Sequence, residues 1–130
     1  MFVLDTNTLI YHFRGHERIT REIECLETDR LLLSVVVLYE LQVGLEKAVY
    51  PLRRVAQLQE VLSRMTLVEF DTAAARSAAQ IRAYLESQGT PIGAIDTLIA
   101  GVALSLDATL VTHNTREFSR VPNLNIVDWF

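Results

Sequence analysis

The sequence predicts an α/β fold, with a central, mainly parallel sheet covered by helices in one domain spanning residues 1–130. Short apolar runs alternate with amphipathic stretches, the order of βαβ units. Half of the residues are hydrophobic and 22% are charged, the balance of a globular chain that buries a core. No repeat, low-complexity tract or Pro/Gly/Ser linker divides it.

Phe2–Leu4 is a short apolar run closed by Asp5-Thr6-Asn7-Thr8, residue types that cap helices, so a first strand feeds a helix broken near Gly15. Glu17–Asp29 reads as a helix with Ile19, Ile23 and Leu26 inward. Leu31–Val35 is a second strand, Val36–Val49 is helical, and Pro51 suits the first turn of a helix running to Arg64. Thr66–Phe70 alternates like a strand, and Asp71 caps a long helix ending at Gly89. Ile95, Leu98, Ile99, Val102 and Leu106 keep a 3.6-residue period, giving a helix over Gly93–Leu106. Thr109–Thr112 is a strand, Asn114–Phe118 a short helical turn and Asn125–Val127 a last strand.

Twelve Lys+Arg against sixteen Asp+Glu give a net charge of −4, which excludes a basic nucleic-acid coat. A polyanion must be met locally, by clustered arginines or a bound cation. Lys47 is the only lysine, which disfavours phosphate chemistries that require one at a fixed late position. The longest uncharged runs, Leu31–Tyr39 and Thr97–Leu106, are nine and ten residues, too short for a membrane span. No basic segment marks a signal peptide, and one cysteine excludes an internal disulfide, so a reducing cytoplasm is the expected setting. Cys25, beside Leu26 in an amphipathic helix, is expected to be buried and structural.

In a parallel sheet, sites form beyond the carboxyl ends of the strands. Asp5, Glu40, Asp96, Asn114 and Glu117 all follow strand ends or open helices there. Glu40 shares a helical face with Val36 and Val43, a costly place for a carboxylate without a cation or strong donors. Asp96 borders the core stripe of its helix. Taken singly, Asp5 also fits a cap, Glu40 a buried arginine pair, Asp96 a helix-dipole partner, Asn114 a cap and Glu117 a solvated residue. Their shared edge is what those readings do not predict. Converging carboxylates with no lysine beside them call for a hard divalent cation, and oxygen-only ligands suit Mg²⁺ or Mn²⁺ rather than zinc. His12 and His16 are four apart, but Gly15 between them ends the helix, so they make no zinc pair.

Leu4-Asp5-Thr6-Asn7, Glu40 in its apolar helix, Pro91-Ile92-Gly93-Ala94-Ile95-Asp96 and Thr112-His113-Asn114-Thr115-Arg116-Glu117-Phe118 stand in this order over essentially the whole chain. In these blocks the chain resembles PIN-domain ribonucleases, and more narrowly VapC-type toxins of bacterial toxin–antitoxin pairs. The resemblance implies a three-layer α/β/α fold with a sheet of four to five strands. It implies Mg²⁺-dependent cleavage of RNA, with Mn²⁺ able to substitute, leaving a 5′-phosphate and a 3′-hydroxyl. Asp5, Glu40 and Asp96 match the family's metal-binding acids. The fourth position holds Asn114, at most a weak ligand, with Glu117 beside it. Thr6 and Asn7 are expected to orient Asp5 or hold phosphate oxygens, and Thr112 to do the same near the fourth position. His113 has no assigned role.

The Thr90-Pro91-Ile92-Gly93 block resembles the subgroup that cuts the anticodon stem-loop of initiator tRNA. Arg14, Arg18, Arg53, Arg54, Arg116 and Arg120 are the candidate RNA contacts. The same resemblance implies a VapB-type antitoxin, operator DNA reached only through it, and a homodimer. Val36–Arg64, with Leu38, Leu41, Leu45 and Val49, is the expected antitoxin surface. Trp129 and Phe130 either finish the sheet or seal a dimer contact. Two rival functions are weaker. A PIN-like module could act chiefly with its antitoxin as a DNA-bound repressor. A haloacid-dehalogenase-like phosphatase is disfavoured because Asn7 stands where its general acid should be.

Overall fold

A computed structural model describes residues 1–130. Five strands form one sheet: β1 Phe2–Leu4, β2 Leu31–Ser34, β3 Thr66–Val68, β4 Thr109–Val111 and β5 Ile126–Val127. Their order is β3-β2-β1-β4-β5, and every neighbouring pair is parallel. The chain thus builds outward from β1 to one edge, then returns to build outward to the other. Right-handed crossovers carry the helices before and after that reversal over opposite faces of the sheet. Central strands covered on both sides read as unbroken apolar runs, and Val3, Leu4, Leu31, Leu33, Leu110 and Val111 are fully buried.

The helices are α1 Thr6–Phe13, α2 Glu17–Cys25, α3 Val35–Lys47, α4 Leu52–Arg64, α5 Thr72–Ser87, α6 Ala94–Ser105 and α7 Thr115–Phe118. Their ends obey local chemistry. Ser34 Oγ accepts from Val36 N at 3.0 Å and starts α3; Asp71 Oδ1 accepts from Ala74 N at 2.9 Å and starts α5. Gly15 and Gly89 take positive φ of 86° and 69° just past α1 and α5. His16 Nδ1 accepts from Ile19 N and caps α2, and His12 Nδ1 bonds Thr20 Oγ1 at 2.8 Å.

Two expectations are corrected. The helix expected over Glu17–Asp29 ends at Cys25, because Leu26 and Glu27 turn extended before a 3₁₀ turn at Thr28–Arg30 leads into β2. Cys25 is exposed, not buried. Ile19 and Ile23 set the inward face, and a residue two positions past Ile23 points to the opposite side. Trp129 is 6% exposed and packs against Phe2 at 5.4 Å, so it finishes the core. No helix is long and apolar enough to cross a membrane.

Candidate active site

The sheet reverses its strand order at β1, between β2 and β4, and the crevice beyond that reversal is where α/β sheets place their sites. Asp5 sits there, one residue past β1 and 4% exposed. Burial favours the neutral acid, so this carboxylate needs donors. It has them. Thr6 N donates to Oδ1 at 2.8 Å, and Thr112, fully buried one residue past β4, donates its hydroxyl to Oδ2 at 2.8 Å. Thr112 Oγ1 in turn accepts from Asn114 N at 3.0 Å. One threonine therefore ties the ends of two neighbouring strands to the same acid.

Glu40 comes from the middle of α3, between buried Val36, Val37 and Leu41. Its Oε1 accepts from the Thr6 hydroxyl at 2.5 Å. Thr6 thus holds Asp5 with its backbone and Glu40 with its side chain. The sequence leads to the expectation that Thr6 orients Asp5 or holds phosphate oxygens; nothing local links it to Glu40, 34 residues away. Asn7 is exposed and makes no bond to Asp5, whose oxygens are held by Thr6 and Thr112.

Asp96 lies in the first turn of α6, half-buried, and does not cap it; Gly93 stands at that N-cap. Its pKa is pushed up from an ordinary 3.8 to about 6. Burial is the largest cause, followed by the charges of Asp5, Glu117 and Glu40. Asp5 is also raised, by burial first, against the lowering pull of Thr112 and Thr6, with Glu40 adding to the rise. The acids therefore feel one another across the crevice. No arginine or lysine pairs with any of them: the ion pairs are Arg82–Glu86 and His113–Asp128. Glu117 accepts from the Asn114 side-chain amide at 3.2 Å, and Asn114 begins α7 without a side-chain cap bond.

This is an all-oxygen set under mutual repulsion, which fits a hard divalent cation. As the side chains stand, no three of them are close enough together to hold a metal ion. Beside the acids, between α1, α3 and α4, runs a groove of about 220 Å³ lined by Phe13, Leu41 and Leu58 with Arg14, Arg54 and Glu40. Of the expected antitoxin stripe, Leu41 and Leu45 belong to the core, Leu38 is half-buried and Val49 is 83% exposed. Of the candidate RNA contacts, Arg14, Arg53 and Arg116 are exposed. Arg54 lies over the Phe13 ring at 5.9 Å, while Arg120 donates to Pro91 O and Arg18 to Phe130 O.

Residues 2–124 match the PIN domain family. The chain is 42% identical over 128 residues to the tRNA(fMet)-specific endonuclease VapC of Salmonella typhimurium, covering 98% of this chain and 97% of that one. The chain belongs to the PIN-domain family, in its VapC branch. The ribonuclease VapC2 of Rickettsia felis is 34% identical, covering 99% and 98% of the two chains. Among solved structures, the VapBC2 complex of Rickettsia felis bound to a promoter DNA fragment superposes with a TM-score of 0.92, over 99% of this chain and 98% of that one. The DNA-bound VapBC of Salmonella typhimurium gives 0.91 at 42% identity, with coverage of 99% and 98%. The five-stranded parallel sheet is thus the PIN α/β/α architecture.

Proposed function

We propose that residues 1–130 act as one PIN unit, a divalent-metal-dependent endoribonuclease that serves as the toxin of a toxin–antitoxin pair in the cytoplasm. The observation that carries the reading is the gathering of Asp5, Glu40 and Asp96 at the sheet reversal with no cationic partner. Asp5, Glu40 and Asp96 would hold Mg²⁺ or Mn²⁺, with Glu117 and Asn114 at the rim of the site. A cation so held supplies acidity to water and neutralises charge building on a phosphate.

The chain's own residues do the rest. Thr6 and Thr112 fix the direction of the Asp5 oxygens, and Thr6 steadies Glu40, which leaves Asp96 as the acid that must move in on loading. Asp96 keeps a proton into the mildly acidic range and must release it to act as a ligand, which ties activity to pH. Arg14, Arg53, Arg54 and Arg116 supply local positive charge for the RNA on a chain whose net charge is −4. The substrate class supported by the Salmonella relative's name is initiator tRNA.

The groove between α1, α3 and α4 suits an antitoxin helix, with a basic side chain reaching toward Glu40. Relatives solved as VapBC complexes on DNA support an antitoxin that carries the pair to its operator. The family resemblance further implies a homodimer. Incubation of the purified protein with total tRNA and Mg²⁺ should give discrete fragments with 5′-phosphates, and Asp5→Asn should give none. Intact tRNA with the parent protein, with or without Mn²⁺, would refute the nuclease reading in favour of a repressor module. Co-expression pull-down with the product of the neighbouring gene tests the partner.

A further inference from the structure

Four aromatic rings from distant parts of the chain meet beside the carboxylate edge. Tyr11 comes from α1, His16 from the start of α2, His113 from the turn between β4 and α7, and Phe130 from beyond β5. Phe130 stacks on His113 with centroids 4.1 Å apart and planes at 25°, and lies 4.6 Å from His16. Tyr11 meets Phe130 edge-on at 4.9 Å and His113 at 5.9 Å. Polar bonds lock the arrangement: His113 Nδ1 to Asp128 Oδ2 at 2.9 Å, Phe130 N to Asp128 Oδ1 at 2.9 Å, and Arg18 Nη1 to Phe130 O at 3.1 Å.

These rings are ordered without being buried. Phe130 keeps 45% of its surface exposed and the His113 side chain 44%, whereas the adjoining Trp129 keeps 6%. Trp129 serves the core; its neighbour does not. A planar surface fixed in advance loses little conformational freedom when a planar ligand arrives.

The location selects the ligand. His113 directly follows Thr112, whose hydroxyl holds Asp5. Tyr11 reaches the same spot from α1, with its ring 5.9 Å from that of His113. Every base has a π-face, and proteins use aromatic rings as sequence-tolerant platforms for single strands. A paired base is sealed in its helix and cannot reach such a platform.

We propose that Tyr11, His16, His113 and Phe130 form a stacking subsite for one unpaired nucleobase flanking the scissile phosphate, so that the enzyme prefers loops over duplex RNA. This rests on the nuclease reading, and makes His113 a positioning residue rather than a catalytic one.

Short single-stranded RNAs carrying 2-aminopurine at successive positions test it, titrated in EDTA so that no cleavage intervenes. One position should be quenched on binding. His113→Ala should abolish that quench and weaken affinity about tenfold, as loss of one base stack does. His113→Phe should restore both, because the ring suffices. Under cleavage conditions His113→Ala should raise KM while kcat holds, and an abasic nucleotide at the quenched position should erase the difference between parent and variant. Equal quenching by the parent and a folded His113→Ala variant would overturn the subsite, as would failure of His113→Phe to restore it. A parent that binds and quenches but never cuts would instead sink the nuclease reading, so the two failures are distinguishable.

Discussion

Helix α6 takes part in two regions built on opposite principles. Along its middle it meets α5 in a seam so close that a Cβ at Gly101 would stand 2.7 Å from Ala78 Cβ and 2.9 Å from Ala78 backbone atoms. A helical glycine costs about 0.5–1 kcal/mol relative to alanine, and here that cost permits the approach. At its first turn the same helix carries Asp96 into a crevice of like charges with no counter-ion. The seam is packed for stability, whereas the crevice gives stability up. A fold that keeps both within one helix has a site whose cost is borne by tight packing nearby.

The seam yields the largest expected effect. Gly101→Val should destabilise the protein by about 3 kcal/mol, because the added atoms meet backbone that cannot swing aside. Chemical denaturation measures it, and an unchanged midpoint would show that the seam is loose. Thr112→Val comes next. It removes the donor to Asp5 and the acceptor for Asn114 N, leaving a buried carboxylate short of a bond, at a cost of about 1–3 kcal/mol. Cleavage should fall roughly 10–100-fold, and Thr112→Ser should recover most of it. If stability falls but cleavage does not, Thr112 only braces the fold.

The pH dependence is smaller and its sign is fixed. Asp96 binds its proton more tightly in the folded chain, with a pKa near 6 against 3.8. The stabilisation this gives is complete below about pH 4 and is lost as pH rises through 6. Melting temperature in EDTA should therefore carry a downward contribution across that window, and Asp96→Asn should remove it. Cation affinity should run the other way, rising through the same window as Asp96 loses its proton.

Much of this comparison was legible in the sequence, for a reason that also marks the limit. Strand and helix boundaries near β1, α5 and α6 follow local periodicity and caps, and a parallel sheet brings its carboxyl ends together whatever the strand order. Asp5, Glu40 and Asp96 could thus be grouped without coordinates. The order β3-β2-β1-β4-β5 depends on crossovers that no local pattern records. Thr6 bonding Glu40, and Phe130 stacking on His113, join residues too far apart in the chain to leave a spacing signal. Cys25 was misplaced because its neighbours Ile23 and Leu26 suggested an inward face that the helix turns away from.

The central claim is that the carboxylate edge is a metal site held at the expense of stability, and thermal melts of Asp96→Asn against the parent test it most directly. The substitution keeps the shape and removes one charge from the cluster. In EDTA near neutral pH the variant should be more stable, by roughly 1 kcal/mol once the half-exposed setting is allowed for. Mn²⁺ should raise the melting temperature of the parent and leave the variant nearly unmoved, since a ligand stabilises only the state that binds it. A variant that is less stable in EDTA and still responds to Mn²⁺ would make Asp96 a structural residue and contradict the account.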